Sequence, residues 1–179
     1  YSALGSFMGA RMTHLQELHS DRDVDDASFD TPAYFARSEP LAILLVEDEG
    51  IVAQDLQETL IRIGYRVAGV ASEGVQAVCM AEELHPDLIV MDVGLQGDID
   101  GIQAARMILE RSHIPVIFLT GHRDTETLQR AVRAGPLGDI LKPFQEVELR
   151  AAIEGAIHKH RADVALRERE EALRRNAEL

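Results

Sequence analysis

From residue 41 onward, short, mostly apolar runs alternate with longer stretches in which apolar residues recur every three or four positions. The runs at 41–46, 66–71, 87–91, 115–119 and 138–141 have strand length. The stretches at about 50–63, 74–84, 101–112, 124–134 and from 145 onward have the helical period. Five strand–helix units with short connections predict an α/β fold, a five-stranded parallel sheet with helices on both faces. Right-handed crossovers leave few topologies. Among them the order 2-1-3-4-5 sets the ends of strands 1 and 3 side by side.

The last helical stretch outruns the domain. Glu146 to Leu179 contains no proline and a single glycine, Gly155. Ala165, Ala172 and Leu179 recur every seven residues, as do Leu166 and Leu173, with Arg and Glu covering the rest. Residues 158–179 therefore read as a helical extension, either a short two-stranded coiled coil or a solvated single helix with i,i+4 pairs. Residues 1–40 read as a separate acidic extension. Tyr1 to Gly9, with no initiating methionine, resembles a cloning remnant, and Asp21 to Asp26 is loop-like. Composition favours a solvated tail, with Phe29, Tyr34 or Phe35 as the side chains that would dock if it is held.

Composition sharpens this outline. The chain has 179 residues, 46% apolar, with no Trp and 4% aromatics, so the core must be aliphatic. The net charge of −13 disfavours direct binding to nucleic acid. Residues 1–40 carry −4 and residues 158–179 carry +1, so the acid excess concentrates in the α/β domain. The single cysteine, Cys79, excludes an intrachain disulfide and is expected as a buried, inert thiol on the second helix. No apolar run reaches the ~18 residues of a membrane span, and no secretory leader precedes the domain, so the expected location is cytoplasmic.

Four strand ends carry chemistry. Leu41 to Val46 runs into Glu47-Asp48-Glu49, and Asp87 to Met91 ends at Asp92. Pro115 to Leu119 ends at Thr120-Gly121, and Asp139 to Leu141 at Lys142-Pro143. Taken singly these are ordinary features: a solvated turn, a turn residue, a β-branched strand end and loop material. Together, each after its own strand and with Asp100-Gly101 opening the third helix, they resemble the receiver domain of two-component response regulators over residues 41–157.

The resemblance implies a phosphoacceptor that takes a phosphoryl group from a histidine kinase or phosphotransfer protein, with Mg2+ as cofactor. Asp92 would be the nucleophile. Asp48, Asp92 and the Gly94 backbone carbonyl would ligate the metal directly, and Glu47 through water. Lys142 would pair with one phosphoryl oxygen and the Thr120 hydroxyl with another. The backbone N–H groups of Val93 and Gly121 would contact the remainder, and Pro143 would be cis. The extension would carry the state onward as a homodimer seam or as a connector to a further domain. Only 22 residues follow residue 157, too few for a DNA-binding effector.

Two positions, Glu47 and Asp139, depart from the family pattern, and a third, His122, bears on phosphoryl lifetime. Glu47 replaces the more usual aspartate, which a water-mediated ligand tolerates. Asp139 stands where many receivers carry Tyr or Phe, so the output is expected to be altered or to travel through the helical extension instead of the usual aromatic coupling from Thr120. His122 sits where the family tunes phosphoryl lifetime, or is simply a solvent-facing loop residue. A phosphate-independent interaction or dimerisation module is the alternative. An aspartyl-phosphate hydrolase of the haloacid dehalogenase type is disfavoured, because its second Asp, two residues past the first, is Gly94 here. His113 reads as a loop residue, and His158 and His160 fall on different helix faces, a poor metal pair.

Overall fold

The computed structural model describes residues 39–121, 129–131 and 133–177. Residues 1–38 of the N-terminal extension, His122, most of the stretch at 124–134 and Leu179 lie outside the described residues. The elements are β1 (Ala42–Val46), α1 (Gly50–Arg62), β2 (Arg66–Ala71), α2 (Gly74–Leu84), β3 (Leu88–Asp92), α3 (Gly101–Ser112) and β4 (Val116–Thr120). A helical segment α4 follows, described at 129–131 and 133, and then β5 (Gly138–Leu141) and α5 (Glu146–Ala177). All pairings are parallel and the order is β2-β1-β3-β4-β5, as the sequence predicts. Strand boundaries differ from the expected ones by one residue at most.

β1, β3 and β4 are buried at every position, which is why they read as continuous apolar runs without alternation. Leu44, Val46, Ile89, Met91 and Phe118 pack on one face with Ala77, Ala81, Ala105 and Ile108 of α2 and α3. Their neighbours along the strands, Ile43, Leu45, Val90, Ile117 and Leu119, point to the other face and are equally buried. There α5 contributes Leu149, Ile153 and Ile157, spaced so that one stripe of the helix faces in. Arg62 of α1 donates to Glu146 at the start of α5 at 3.0 Å.

α5 has 32 residues, ~48 Å at ~1.5 Å per residue. Its buried stripe ends at Ile157, and residues 162–176 are exposed, with Leu166 at 57% and Leu173 at 62%. Cys79 corrects the sequence expectation. The inward face of α2 is formed by Ala77, Val78 and Ala81, and the next position along the helix turns the thiol out to solvent.

α2 and α3 both end on a histidine in the left-handed conformation, His85 (φ 47°) and His113 (φ 54°). A β-carbon is strained there, and glycine relieves it. His85→Gly should stabilise the domain by roughly 0.5–1 kcal/mol. A rise of a few degrees in thermal midpoint checks this, and a fall would show that the His85 side chain contributes more than its backbone costs.

Candidate functional site

Parallel pairing with matched register brings four strand ends to one edge. Asp92 is the last residue of β3, opposite Leu119, and Thr120 is the last of β4, opposite Leu141. Glu47 and Asp48 follow β1 directly, and Lys142 follows β5. Glu47, Asp92 and Thr120 are buried at 2%, 8% and 3% exposure, while Asp48 is exposed at the rim. Each sequence-predicted side chain therefore reaches the same edge.

The polar contacts within this edge are specific. Lys142 Nζ donates to Glu47 Oε2 at 2.5 Å and lies 3.3 Å from Asp92 Oδ2. The other Glu47 oxygen accepts the Glu49 N–H at 3.2 Å, so both are engaged. Burial pushes the Glu47 carboxyl above its ordinary range, and the nearby Asp92 charge adds to this; the Lys142 bond opposes without prevailing. Burial alone would lower the Lys142 ammonium, but the Glu47 bond and the charges of Asp92 and Glu47 outweigh it and hold it above its usual value. Lys142 is thus a firmly held cation beside the Asp92 carboxylate. The Lys142–Pro143 peptide is cis, as the resemblance implied.

Oxygen atoms of Glu47, Asp48 and Asp92 lie within 4.8 Å of one another. Three carboxylates against one ammonium leave an uncompensated negative edge of hard oxygen donors. That donor set fits a divalent cation of the Mg2+ type, which prefers carboxylates and retained waters. Among the described residues this is the one cluster of three metal-ligating side chains.

The loop 93–100 contains what the sequence did not disclose. Gln96 donates its backbone N–H to Asp48 Oδ2 and its side-chain amide to the Gly94 carbonyl, both at 3.2 Å. It bridges two of the expected metal ligands, and nothing in its sequence context marks it. The Val93 N–H, expected to face a phosphoryl group, donates instead to the Leu119 carbonyl at 3.0 Å, because β3 continues its ladder through that residue. The N–H that meets the Asp92 carboxylate belongs to Gly94, at 3.2 Å from Oδ1. Gly121 lies exposed at the rim, next to Thr120. The Thr120 hydroxyl donates to the Ile140 carbonyl at 3.4 Å. Asp139 pairs with Phe118 in the sheet but keeps its side chain exposed, and so avoids the cost of burying an unpaired charge.

The chain matches the response regulator receiver domain family over residues 43–154. It is 38% identical over 127 residues to the transcriptional regulatory protein PdtaR of Mycobacterium tuberculosis, covering 71% of this chain and 62% of that one. It is 34% identical over 135 residues to the phyllosphere-induced regulator PhyR of Methylorubrum extorquens, covering 75% and 48%. The chain thus spans about half to three-fifths of the length of these curated relatives. Among solved structures, the signal receiver domain of a modulated diguanylate cyclase from Desulfovibrio desulfuricans superposes with a TM-score of 0.67 at 38% identity, covering 70% of this chain and 99% of that one. The receiver domain of a sensor histidine kinase from Pseudomonas aeruginosa superposes at 0.62 with 32% identity, covering 66% and 98%. That structure holds a magnesium ion coordinated in its active-site cleft.

Proposed function

Because the chain belongs to the response regulator receiver domain family, we propose that Asp92 accepts a phosphoryl group from the phosphohistidine of a histidine kinase or phosphotransfer protein. The observation that carries this reading is the Lys142 ammonium 3.3 Å from the Asp92 carboxylate, at an edge where three acids converge. A carboxylate oxygen of Asp92 attacks phosphorus, the P–N bond breaks, and the departing imidazole nitrogen keeps the electron pair and takes up a proton. Asp48, Asp92 and the Gly94 carbonyl would hold Mg2+, with Glu47 acting through water, and the bound ion would offset charge on the phosphoryl oxygens. Lys142 pairs with one of those oxygens, and the Gly94 and Gly121 N–H groups meet others. The Thr120 hydroxyl leaves the Ile140 carbonyl to bond a phosphoryl oxygen.

No side chain at position 94 can activate water, so the phosphoryl group is stored and the domain signals without turnover. Residues 41–157 are the switch, residues 1–40 an appended extension, and residues 158–179 the output. We assign the module to the cytoplasm, where ATP supplies kinases. Among the described residues no helix is long and apolar enough to cross a membrane. Intact mass after incubation with a small phosphodonor and Mg2+ tests the phosphoacceptor role: one added phosphoryl group per chain is expected.

The output is a homodimer seam on α5, where Leu166 and Leu173 lie exposed seven residues apart. Leu166→Glu with Leu173→Glu should leave phosphoryl uptake intact and reduce a dimer to a monomer in light scattering. An unchanged mass would remove α5 from the seam. One observation favours a second reading, a phosphate-independent interaction module. Asp139 is exposed and offers no ring to follow Thr120 inward, so a switch that acts through that strand lacks its moving part.

A further inference from the structure

Gly74 and Gly101 are the first residues of α2 and α3, and both abut backbone where a side chain would stand. A methyl group on Gly101 would collide with the Asp92 carbonyl oxygen, with the Asp92 carbonyl carbon at 2.9 Å and the Val93 Cα at 3.1 Å. A methyl group on Gly74 would meet the Ile99 carbonyl oxygen and Cγ1, each at 2.7 Å. Neither glycine has a positive φ, so space, and not backbone freedom, requires the missing side chain. By contrast, Gly50 and Gly155, also helical, have nothing within 4 Å.

The two contacts connect. α2 rests on the end of the loop 93–100, and α3 rests on the strand end that carries Asp92. Between them Asp100 caps α3, accepting the Gln103 N–H at 2.8 Å, and accepts from Arg130 of α4 at 2.5 Å. The loop that contains Gly94 is thus held at both ends by backbone-to-backbone packing. Carbonyl and Cα atoms cannot swing aside as the end of a flexible side chain can, so any added carbon must displace α3 or the end of β3.

We propose that Gly101, supported by Gly74, is a positioning residue for phosphoryl transfer. It lets α3 seat directly against the Asp92–Val93 backbone and so fixes the acceptor carboxylate relative to Lys142. The inference rests on the phosphoacceptor reading and adds to it a pair of residues that touch neither metal nor phosphoryl group. Relieving the collision requires a shift on the order of 1 Å, a misplacement that can cost about 10²-fold in rate.

The test compares the full chain with Gly101→Ala, Gly74→Ala and Gly155→Ala at a temperature where circular dichroism shows each fully folded. Two quantities are read: the rate of phosphoryl uptake from acetyl phosphate by intact mass, and Mg2+ affinity by titration. Gly101→Ala should slow uptake by about 30- to 100-fold and Gly74→Ala by about 3- to 10-fold. Gly155→Ala should keep the wild-type rate, with a thermal midpoint at or above that of the wild type. A wild-type rate in folded Gly101→Ala, or an equal loss in Gly155→Ala, overturns the proposal alone. Absence of uptake by the wild type overturns the phosphoacceptor reading with it. If neither Gly101→Ala nor Gly74→Ala folds, the glycines serve the fold and not the acceptor, which also overturns it.

Discussion

Asp92→Asn should take up no phosphoryl group under conditions in which the wild type gains one per chain, a loss of at least about 100-fold in rate. The substitution keeps the shape of the side chain and removes its nucleophilic charge. Its oxygen can still accept the Gly94 N–H, now at 3.2 Å. Lys142 keeps its closer partner, Glu47 at 2.5 Å, so no buried charge is orphaned. The fold should persist, with a thermal midpoint at or above that of the wild type, because one of three mutually repelling carboxylates is gone. Lys142→Ala makes the informative contrast. It removes the cation beside Asp92 and also strips Glu47, 2% exposed, of its ion pair, so it should slow uptake and lower stability together. Intact mass and thermal unfolding on the same samples separate the two outcomes. Phosphorylation of Asp92→Asn at the wild-type rate would mean that another residue is the acceptor.

The ease with which this site could be read from sequence has a physical cause. In a parallel sheet buried on both faces, apolar runs mark the strands, and the first polar residue after each run must emerge at the carboxyl edge. Asp92, Thr120, Glu47 and Lys142 were legible for that reason, and matched register did the rest. The contacts that were not legible depend on the path of one loop. Gln96, the Val93 N–H and the packing of Gly101 have no periodic signature, since a loop's hydrogen bonds follow its turns and not its composition. Cys79 failed for a different reason. α2 is rich in small apolar residues, so its inward face is poorly marked, and a shift of one position decides whether a thiol is covered or solvated. Asp139 was legible as a departure from the aromatic pattern, and the structure keeps its side chain in water, where no ring follows Thr120.

Mg2+ should stabilise the protein more near pH 8 than near pH 5. At a concentration ~100-fold above its dissociation constant the ion contributes about 2.7 kcal/mol, several degrees in thermal midpoint for a domain of this size. The pH dependence follows from Glu47. Its carboxyl is held above the ordinary value of 4.5 by burial and by Asp92, so the metal-free native state binds a proton there more tightly than the unfolded chain does. That proton's contribution to stability is present at and below pH 4.5 and is lost as pH rises through the elevated value. A cation reverses the preference, because it favours the charged carboxylate, and the negative edge that opposed folding becomes its binding site. Metal-induced stabilisation should therefore grow with pH over the same window in which the metal-free protein loses the benefit of the Glu47 proton. Asp48→Ala should abolish most of the shift at either pH, since Asp48 is exposed and its loss costs the metal-free fold little. Gln96→Ala should act oppositely to Asp48→Ala, or not at all, because the Gln96 amide, 3.2 Å from the Gly94 carbonyl, competes for an oxygen the metal would use. Thermal unfolding of the three proteins with and without Mg2+ decides. A shift independent of pH, or one retained in Asp48→Ala, would locate the ion away from this edge.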